Sequence, residues 1–275
     1  MRNEICPVCG GAANPAYNGL HECGACGLAF IVEKYFVQPV YEPGLEEGIY
    51  SSSKAGLFGE ALAFLDRALP ARGRLLDIGC AGGELLKAAA ARGWKAEGVE
   101  VDPALAVKAL AGGFEVYSRP VEKAGLEGGA YDAITVFDVF SQMYDPAAAS
   151  AELLRLLKPG GYIYIRDFNA AFHLLFYRRE IAGGFKPLGV SPSVIHIFNF
   201  RAATLRFMLG RAGFREVNVR NSRPTAGDPY HTGGPLSGFL TGVLKVLYYW
   251  LAQALWLATF GRVYAGSALI VTAKK

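Results

Sequence analysis

One stretch constrains this chain more than any other: Leu75-Leu76-Asp77-Ile78-Gly79-Cys80-Ala81-Gly82-Gly83-Glu84-Leu85-Leu86. It reads as a short apolar strand, an abrupt glycine turn and the start of a helix. That is the ligand-binding corner of a doubly wound α/β sheet, where ligands sit beyond the strand ends. Gly79 gives the turn a backbone conformation closed to other residues, and Ala81, Gly82 and Gly83 let a ligand approach the main chain. The acidic residues narrow the choice of ligand. A pyrophosphate needs an uncluttered helix N-terminus, but here Asp77 ends the strand and Glu84 opens the helix, and both repel phosphate. The G-x-G-x-x-G spacing is also not met. The corner therefore suits a positively charged, phosphate-free ligand.

The segment closely resembles the first motif of class I S-adenosylmethionine-dependent methyltransferases, usually Asp-x-Gly-x-Gly-x-Gly, with Ala81 in place of the middle glycine. The resemblance implies a Rossmann-like, seven-stranded doubly wound sheet whose last strand is antiparallel. It implies S-adenosylmethionine as cofactor, held around Asp77, Gly79, Cys80, Ala81 and Gly83. Glu100 and Val101 end the second strand, a little over twenty residues on, where an acidic residue of the doubly wound fold accepts ribose hydroxyls. Val121 and Glu122 fall where relatives hold the adenine. Tyr131 to Phe140 resembles the fourth motif and sets Phe137 and Asp138 at the cofactor's border. That motif commonly ends Asp-Val-Leu-Glu-His; here Ser141 and Gln142 stand last, and Gln142 cannot accept a proton as histidine can. His196-Ile197-Phe198-Asn199-Phe200 resembles a family pattern of a histidine before an aromatic pair. His196 is the first catalytic candidate, as proton acceptor or substrate ligand, with a structural histidine as the alternative; Tyr144 and Asp167 are the others. Cys80 reads as a packing residue rather than a nucleophile, and Asp102, before Pro103, as a helix cap.

The chain opens with a second constraint. Cys6-Pro7-Val8-Cys9-Gly10 is answered by Cys23-Gly24-Ala25-Cys26-Gly27. Each is a zinc knuckle, two thiolates on a tight turn, and two knuckles close a tetrahedral site with no position left for water. The expectation is a small zinc ribbon with a structural zinc on Cys6, Cys9, Cys23 and Cys26; a redox pair or iron are the alternatives. So short a module cannot be held by its core alone, whereas metal binding is worth about 10–16 kcal/mol in zinc-finger peptides.

These readings divide the chain into a zinc ribbon at 1–32, a connector and helical cap at 33–70, and a methyltransferase domain at 71–275. The connector carries Tyr41 and Tyr50 as pocket candidates. An apolar helical insertion at 221–266 separates the last two strands and should overhang the substrate pocket. Within it, Leu236 to Phe260 has one formal charge, Lys245, and could span a bilayer by length. A crossing would strand the last strand on the wrong side of the membrane. Ser237, Thr241, Lys245, Gln253 and Thr259 fall near one stripe. One or two helices with a broad apolar face are therefore expected, packed on the domain, pairing in a homodimer, or making peripheral membrane contact through residues 236–260.

Composition agrees. Charged residues are only 19% of the chain, against an average of about 25%, so the core is large or the surface meets something apolar. The net charge of +4 comes with no basic run longer than a pair, which argues against nucleic acid. No apolar signal region opens the sequence, so the chain is expected in the cytoplasm, at most peripheral at the inner face of the membrane. The expected activity is methyl transfer from S-adenosylmethionine to a small-molecule acceptor, apolar or lipid-linked. A non-catalytic S-adenosylmethionine-binding adaptor and a nicotinamide-dependent dehydrogenase are the alternatives.

Overall fold

The computed structural model describes residues 4–32, 53–183, 193–226 and 235–275, with the backbone alone for 235–241. Tyr41 and Tyr50 lie outside the described residues. Four short strands come first: β1 (Glu4–Ile5), β2 (Ala12–Pro15), β3 (Leu20–Cys23) and β4 (Ala29–Ile31). Each pairs antiparallel with the next. Their buried residues join the main domain's clusters: Leu28 and Phe30 that of Phe200 and Leu205, and Leu20 that of Ala170 and Leu174.

Helix α1 (Ala55–Ala68) follows, and Leu57, Phe58, Ala61, Leu62 and Leu65 form its buried stripe. Phe58 meets Phe137 edge-on at 5.0 Å, so α1 belongs to the layer covering the main sheet. Strand and helix then alternate: β5 (Arg74–Ile78), α2 (Glu84–Ala90), β6 (Lys95–Val99), α3 (Pro103–Ala111), β7 (Glu115–Tyr117), β8 (Tyr131–Phe137), α4 (Pro146–Leu156) and β9 (Leu157–Phe168). Asp102 and Asp145 each cap the helix they precede by accepting two backbone N–H groups, with proline next in line. That arrangement sets both a helix start and its first φ angle. The chain continues through α5 (Ala170–Ile181), β10 (Phe198–Asn199), α6 (Ala202–Ala212), β11 (Arg215–Asn221), α7 (Pro235–Ala258) and β12 (Ala268–Lys274).

The main sheet runs β11-β12-β9-β8-β5-β6-β7. Strands β5 to β9 are mutually parallel, and β12 is antiparallel to both β9 and β11. This is the Rossmann-like methyltransferase sheet. Central β8 is buried at Tyr131 and from Ala133 to Phe137, as a parallel strand covered on both faces must be. The Lys158-Pro159-Gly160-Gly161 segment lies within one long strand. It bulges where Asp132 separates the pairs Tyr131–Leu157 and Ala133–Tyr162.

One pairing was not foreseeable. Strand β10 joins the small sheet, antiparallel to β4, with Phe198 opposite Phe30 and Asn199 opposite Ala29. The cysteine module and the main domain thus share a sheet. The apolar segment is a single helix, and Gln253 and Tyr248 on it face the protein. Asn221 Nδ2, at the end of β11, donates to Ala252 O at 3.3 Å and to Gln253 Oε1 at 3.1 Å. Tyr248 donates its hydroxyl to Ala265 O. Of the three expected arrangements, packing of the apolar face on the domain is not the one seen at Gln253, because Asn221 offers it a polar partner. Ser237 and Thr241 are outside the described side chains.

Candidate active site

Beyond the end of β5 the chain turns at Gly79, with φ 73°. A Cβ there would lie 2.3 Å from Val139 Cγ2, so only glycine fits. Gly79 and Cys80 both donate their N–H to Val99 O, at 2.7 and 3.1 Å. Ala81 is left-handed at φ 45°, a strained conformation of the kind that concentrates at functional sites. It donates its N–H to Glu100 Oε2 at 2.9 Å, and Asp102 N donates to Glu100 Oε1 at 2.9 Å. The Glu100 carboxylate is thereby fixed at the tip of β6.

These groups open on a hollow of about 410 Å³. Gly79, Ala81, Glu100, Val101, Val121 and Glu122 line it, as expected from the sequence, together with Ile78, Val99, Leu105, Pro120, Val139, Gln142, Met143 and Tyr144. Asp102 also borders it while capping α3. Three carboxylates, Glu100, Asp102 and Glu122, make the hollow acidic. Burial raises the Glu100 pKa, and the Asp102 and Ala81 amides work against that rise.

Five other residues expected around the cofactor do not line the hollow. Asp77 is buried and accepts the Thr135 hydroxyl at 2.6 Å. Burial first, then the nearby Glu100 charge, raises its pKa to about 7 against the opposing Thr135 bond. Cys80 turns its sulfur toward Gly98 and Leu86, in an apolar cluster with Ala109. Gly83 starts α2 in a left-handed conformation under Ala109 and Phe114. Phe137 stacks on Tyr164 and meets Phe58 edge-on in the core. Asp138, at φ 58°, is claimed by ion pairs.

Those ion pairs belong to a second, buried cluster at the ends of β8 and β9. Asp138 pairs with Lys54 at 2.6 Å and with Arg166; Arg166 also donates to Ser222 Oγ at 3.1 Å. Burial pushes the Asp138 pKa up, but Arg166 and Lys54 outweigh it and hold the carboxylate below its usual range. Neighbouring Asp167 accepts the backbone N–H groups of Ser141 and Phe168, both at 2.7 Å. Burial, then the Asp138 charge, raises it to about 7. Ser141 Oγ meets His196 Nδ1 at 2.6 Å, and Phe168 packs edge-on against the imidazole at 4.8 Å. Burial depresses the His196 pKa to about 4, so the ring is neutral near pH 7. The sequence places no histidine at 142, yet one arrives from another element one residue away. Gln142 instead donates to Asp138 O at 3.0 Å and walls the hollow.

Comparison with known proteins fits this geometry. A family model described as "Methyltransferase domain" matches residues 54–219. The chain belongs to that methyltransferase family. Ubiquinone biosynthesis O-methyltransferase of Xanthomonas axonopodis pv. citri is 32% identical over 164 residues, covering 56% of this chain and 67% of that protein. The protein of the same name from Paracidovorax citrulli is 31% identical over 144 residues, covering 46% of this chain and only 59% of its own length. A putative S-adenosylmethionine-dependent methyltransferase structure from Listeria monocytogenes shares the fold at TM-score 0.53 and 15% identity, over 80% of this chain and 98% of that one. One from Mesorhizobium loti does so at 0.52 and 18%, over 79% of this chain and all of its own. The protein is thus a class I S-adenosylmethionine-dependent methyltransferase, and the adaptor and dehydrogenase alternatives fall away.

The methyltransferase carries its cysteine module on the same side as His196. The four sulfurs of Cys6, Cys9, Cys23 and Cys26 lie within 4.8 Å of one another. Cys6–Cys26 is 3.6 Å and Cys9–Cys23 is 3.4 Å, close to the roughly 3.8 Å edge of a tetrahedron with Zn–S bonds of 2.3 Å. They are far beyond a disulfide's ~2.05 Å. The module is tied down by Thr204 Oγ1 to Cys26 O at 2.8 Å, Arg178 to Glu22 at 2.9 Å, and the β4–β10 ladder. Asn199, in β10, accepts His196 N at 3.1 Å and donates to His196 O at 2.8 Å. The sequence marked the histidine and the cysteines but gave no signal that they were joined.

Proposed function

We propose that this methyltransferase moves the methyl group of S-adenosylmethionine to a hydroxyl oxygen of a small acceptor that is apolar or lipid-linked. An oxygen acceptor is favoured by the names of its O-methyltransferase relatives. An apolar one is favoured by the helix that hangs over the same sheet edge. The Ser141–His196 contact, set beside an acidic hollow, carries the reading.

The hollow suits the cofactor. Each Glu100 oxygen accepts one backbone N–H and keeps further lone-pair capacity for a ribose hydroxyl. Val121 and Glu122 would flank the adenine, and Gly79 and Ala81 would let the cofactor approach the main chain. Glu100, Asp102 and Glu122 complement a ligand bearing ammonium and sulfonium charge. Asp77, Cys80, Gly83, Phe137 and Asp138 act one layer back, shaping the corner. When bound, the cofactor supplies an activated methyl group for in-line displacement. The protein aligns donor and acceptor, a contribution that can reach roughly 7–11 kcal/mol. In the tautomer that directs the Nδ1 proton to Ser141 Oγ, Nε2 of His196 would take the acceptor's proton. The four cysteines hold a structural zinc. The divisions at 1–32, 33–70 and 71–275, with the insertion at 221–266, stand as our reading of domain organisation, and we place the enzyme in the cytoplasm.

Methyl transfer from labelled donor to demethylated quinone precursors tests this reading. His196→Gln should lower kcat by about 10²–10⁴-fold while S-adenosylhomocysteine binding is kept. Unchanged turnover would remove His196 from the chemistry. Its titration gives an independent check. A folded pKa below the unfolded value means that stability from neutral His196 is present above about pH 6.5 and lost as pH falls toward 4. The His196 ring resonance should therefore stay in its neutral position from pH 8 to 5; a midpoint near 6.5 would contradict its burial.

A further inference from the structure

Helix α7 is built inside out. Its half-buried stripe holds Lys245, Tyr248, Tyr249, Gln253 and Trp256, with the polar contacts to Asn221 and Ala265 already described. Its outward stripe holds Leu244, Leu247, Trp250 and Leu251, exposed by 56, 57, 63 and 69%, and then Leu257 at 66%. Phe260, just past the helix end, is 91% exposed. These spacings of three, four and seven residues place them on one side of a helix. Twenty-four residues at 1.5 Å each make it about 36 Å long. A soluble surface helix has the opposite arrangement, and contiguous apolar patches of this kind mark interaction sites.

Charge identifies the occupant. Asp228 is the last acidic residue of the chain, and the segment that follows carries Lys245 and Arg262 but no carboxylate side chain. Arg262 at the helix end is exposed, as is Arg179 on α5, whose Phe172 touches Tyr248 at 5.2 Å. An apolar face with exposed arginines and no acid of its own complements an anionic lipid surface. A second copy would bring surfaces of the same positive sign together. Among the described residues no helix is long and apolar enough to cross a membrane, which fits a helix lying in the interface plane. Position agrees too. Asn221 ends β11 against α7, and Asn169, just after β9, donates to Tyr264 O and Gly266 O at 3.0 and 2.7 Å. The helix therefore sits on the sheet edge that carries the hollow.

We propose that the outward face of α7 seats the enzyme in the headgroup–acyl boundary of an anionic membrane, from which an apolar acceptor is drawn. This extends the acceptor reading above. Vesicle binding is measured without donor or acceptor, so the two can fail separately. The full chain is floated with vesicles of phosphatidylcholine and phosphatidylglycerol, and with phosphatidylcholine alone. It should float with the first mixture and more weakly with the second. Leu247→Glu with Leu251→Glu should lower partition by at least about tenfold per position, with S-adenosylhomocysteine affinity retained. Brominated lipid should quench Trp250 in the unaltered chain, read as the difference from Trp250→Phe. Three outcomes overturn the proposal: no flotation of the unaltered chain, equal flotation of the double variant, or a dimer that the variant dissociates and that ignores vesicles.

Discussion

The cysteine module and helix α7 are both additions to the same domain, and they turn their apolar side chains in opposite directions. The module is joined by strand pairing and by packing: β10 completes its sheet, Asn199 bonds both ends of the His196 turn, and Leu28 and Phe30 share one buried cluster with Phe200 and Leu205. Its apolar side chains turn toward the domain, where Leu20 and Ala29 pack with Ala170 and Leu174. The helix is hung on polar side chains, through Asn221, Gln253 and Tyr248, and turns its apolar residues out. A small module of this kind depends on strand pairing, on that packing and on what its four cysteines hold. A helix whose apolar face is turned outward depends on what that face meets. The first should govern stability and His196; the second should govern location.

The largest test of that contrast is metal removal. Chelation, or Cys26→Ser, forfeits much of the roughly 10–16 kcal/mol that zinc contributes to such modules. Residues 4–32 should unfold, zinc stoichiometry should fall, and turnover should drop as it does in His196→Gln. Calorimetric affinity for S-adenosylhomocysteine should hold, because no hydrogen bond among the described residues links the module to the hollow. Loss of that affinity would mean the module supports the whole fold rather than the His196 side alone.

Loosening that join should have a smaller effect. Asn199→Ala leaves buried backbone groups of the His196 turn unsatisfied, costing about 1–3 kcal/mol. Turnover should fall more than KM rises, while zinc content stays unchanged. Equal changes in kcat and KM would assign Asn199 a purely structural part.

The smallest effects lie on the helix, and their sign carries the information. Gln253→Leu, on the inner stripe, should destabilise by about 0.5–1.5 kcal/mol, because Asn221 loses one of its partners. Leu251→Ser, on the outer stripe, should change stability by no more than about 0.5 kcal/mol in thermal unfolding without lipid. An ordinary surface helix would respond the other way round, and that result would dissolve the comparison.

Much of this protein was legible in its residues. Gly79 requires a positive φ, Asp102-Pro103 starts a helix, and paired Cys-x-x-Cys turns set up four thiols. Each effect acts within a few residues of chain, so each can be read from a few residues of sequence. The glycine corner with Glu100 therefore gave both the fold and the hollow. Asp138 shows where that reading stops. Its motif position implied a cofactor border, but Lys54 and Arg166 converge on it from 84 and 28 positions away in the chain.

Tertiary structure alone decided which histidine meets which serine, which two residues complete the cysteine sheet, and which side of α7 faces water. These are outcomes of closure between segments far apart in sequence: Ser141 with His196, Ala29 with Asn199, Asn221 with Gln253. Helical periodicity fixes that a polar stripe and an apolar stripe exist, but it carries no sign. The sign of α7 came from where Asn221, buried at the end of β11, needed a hydrogen-bonding partner.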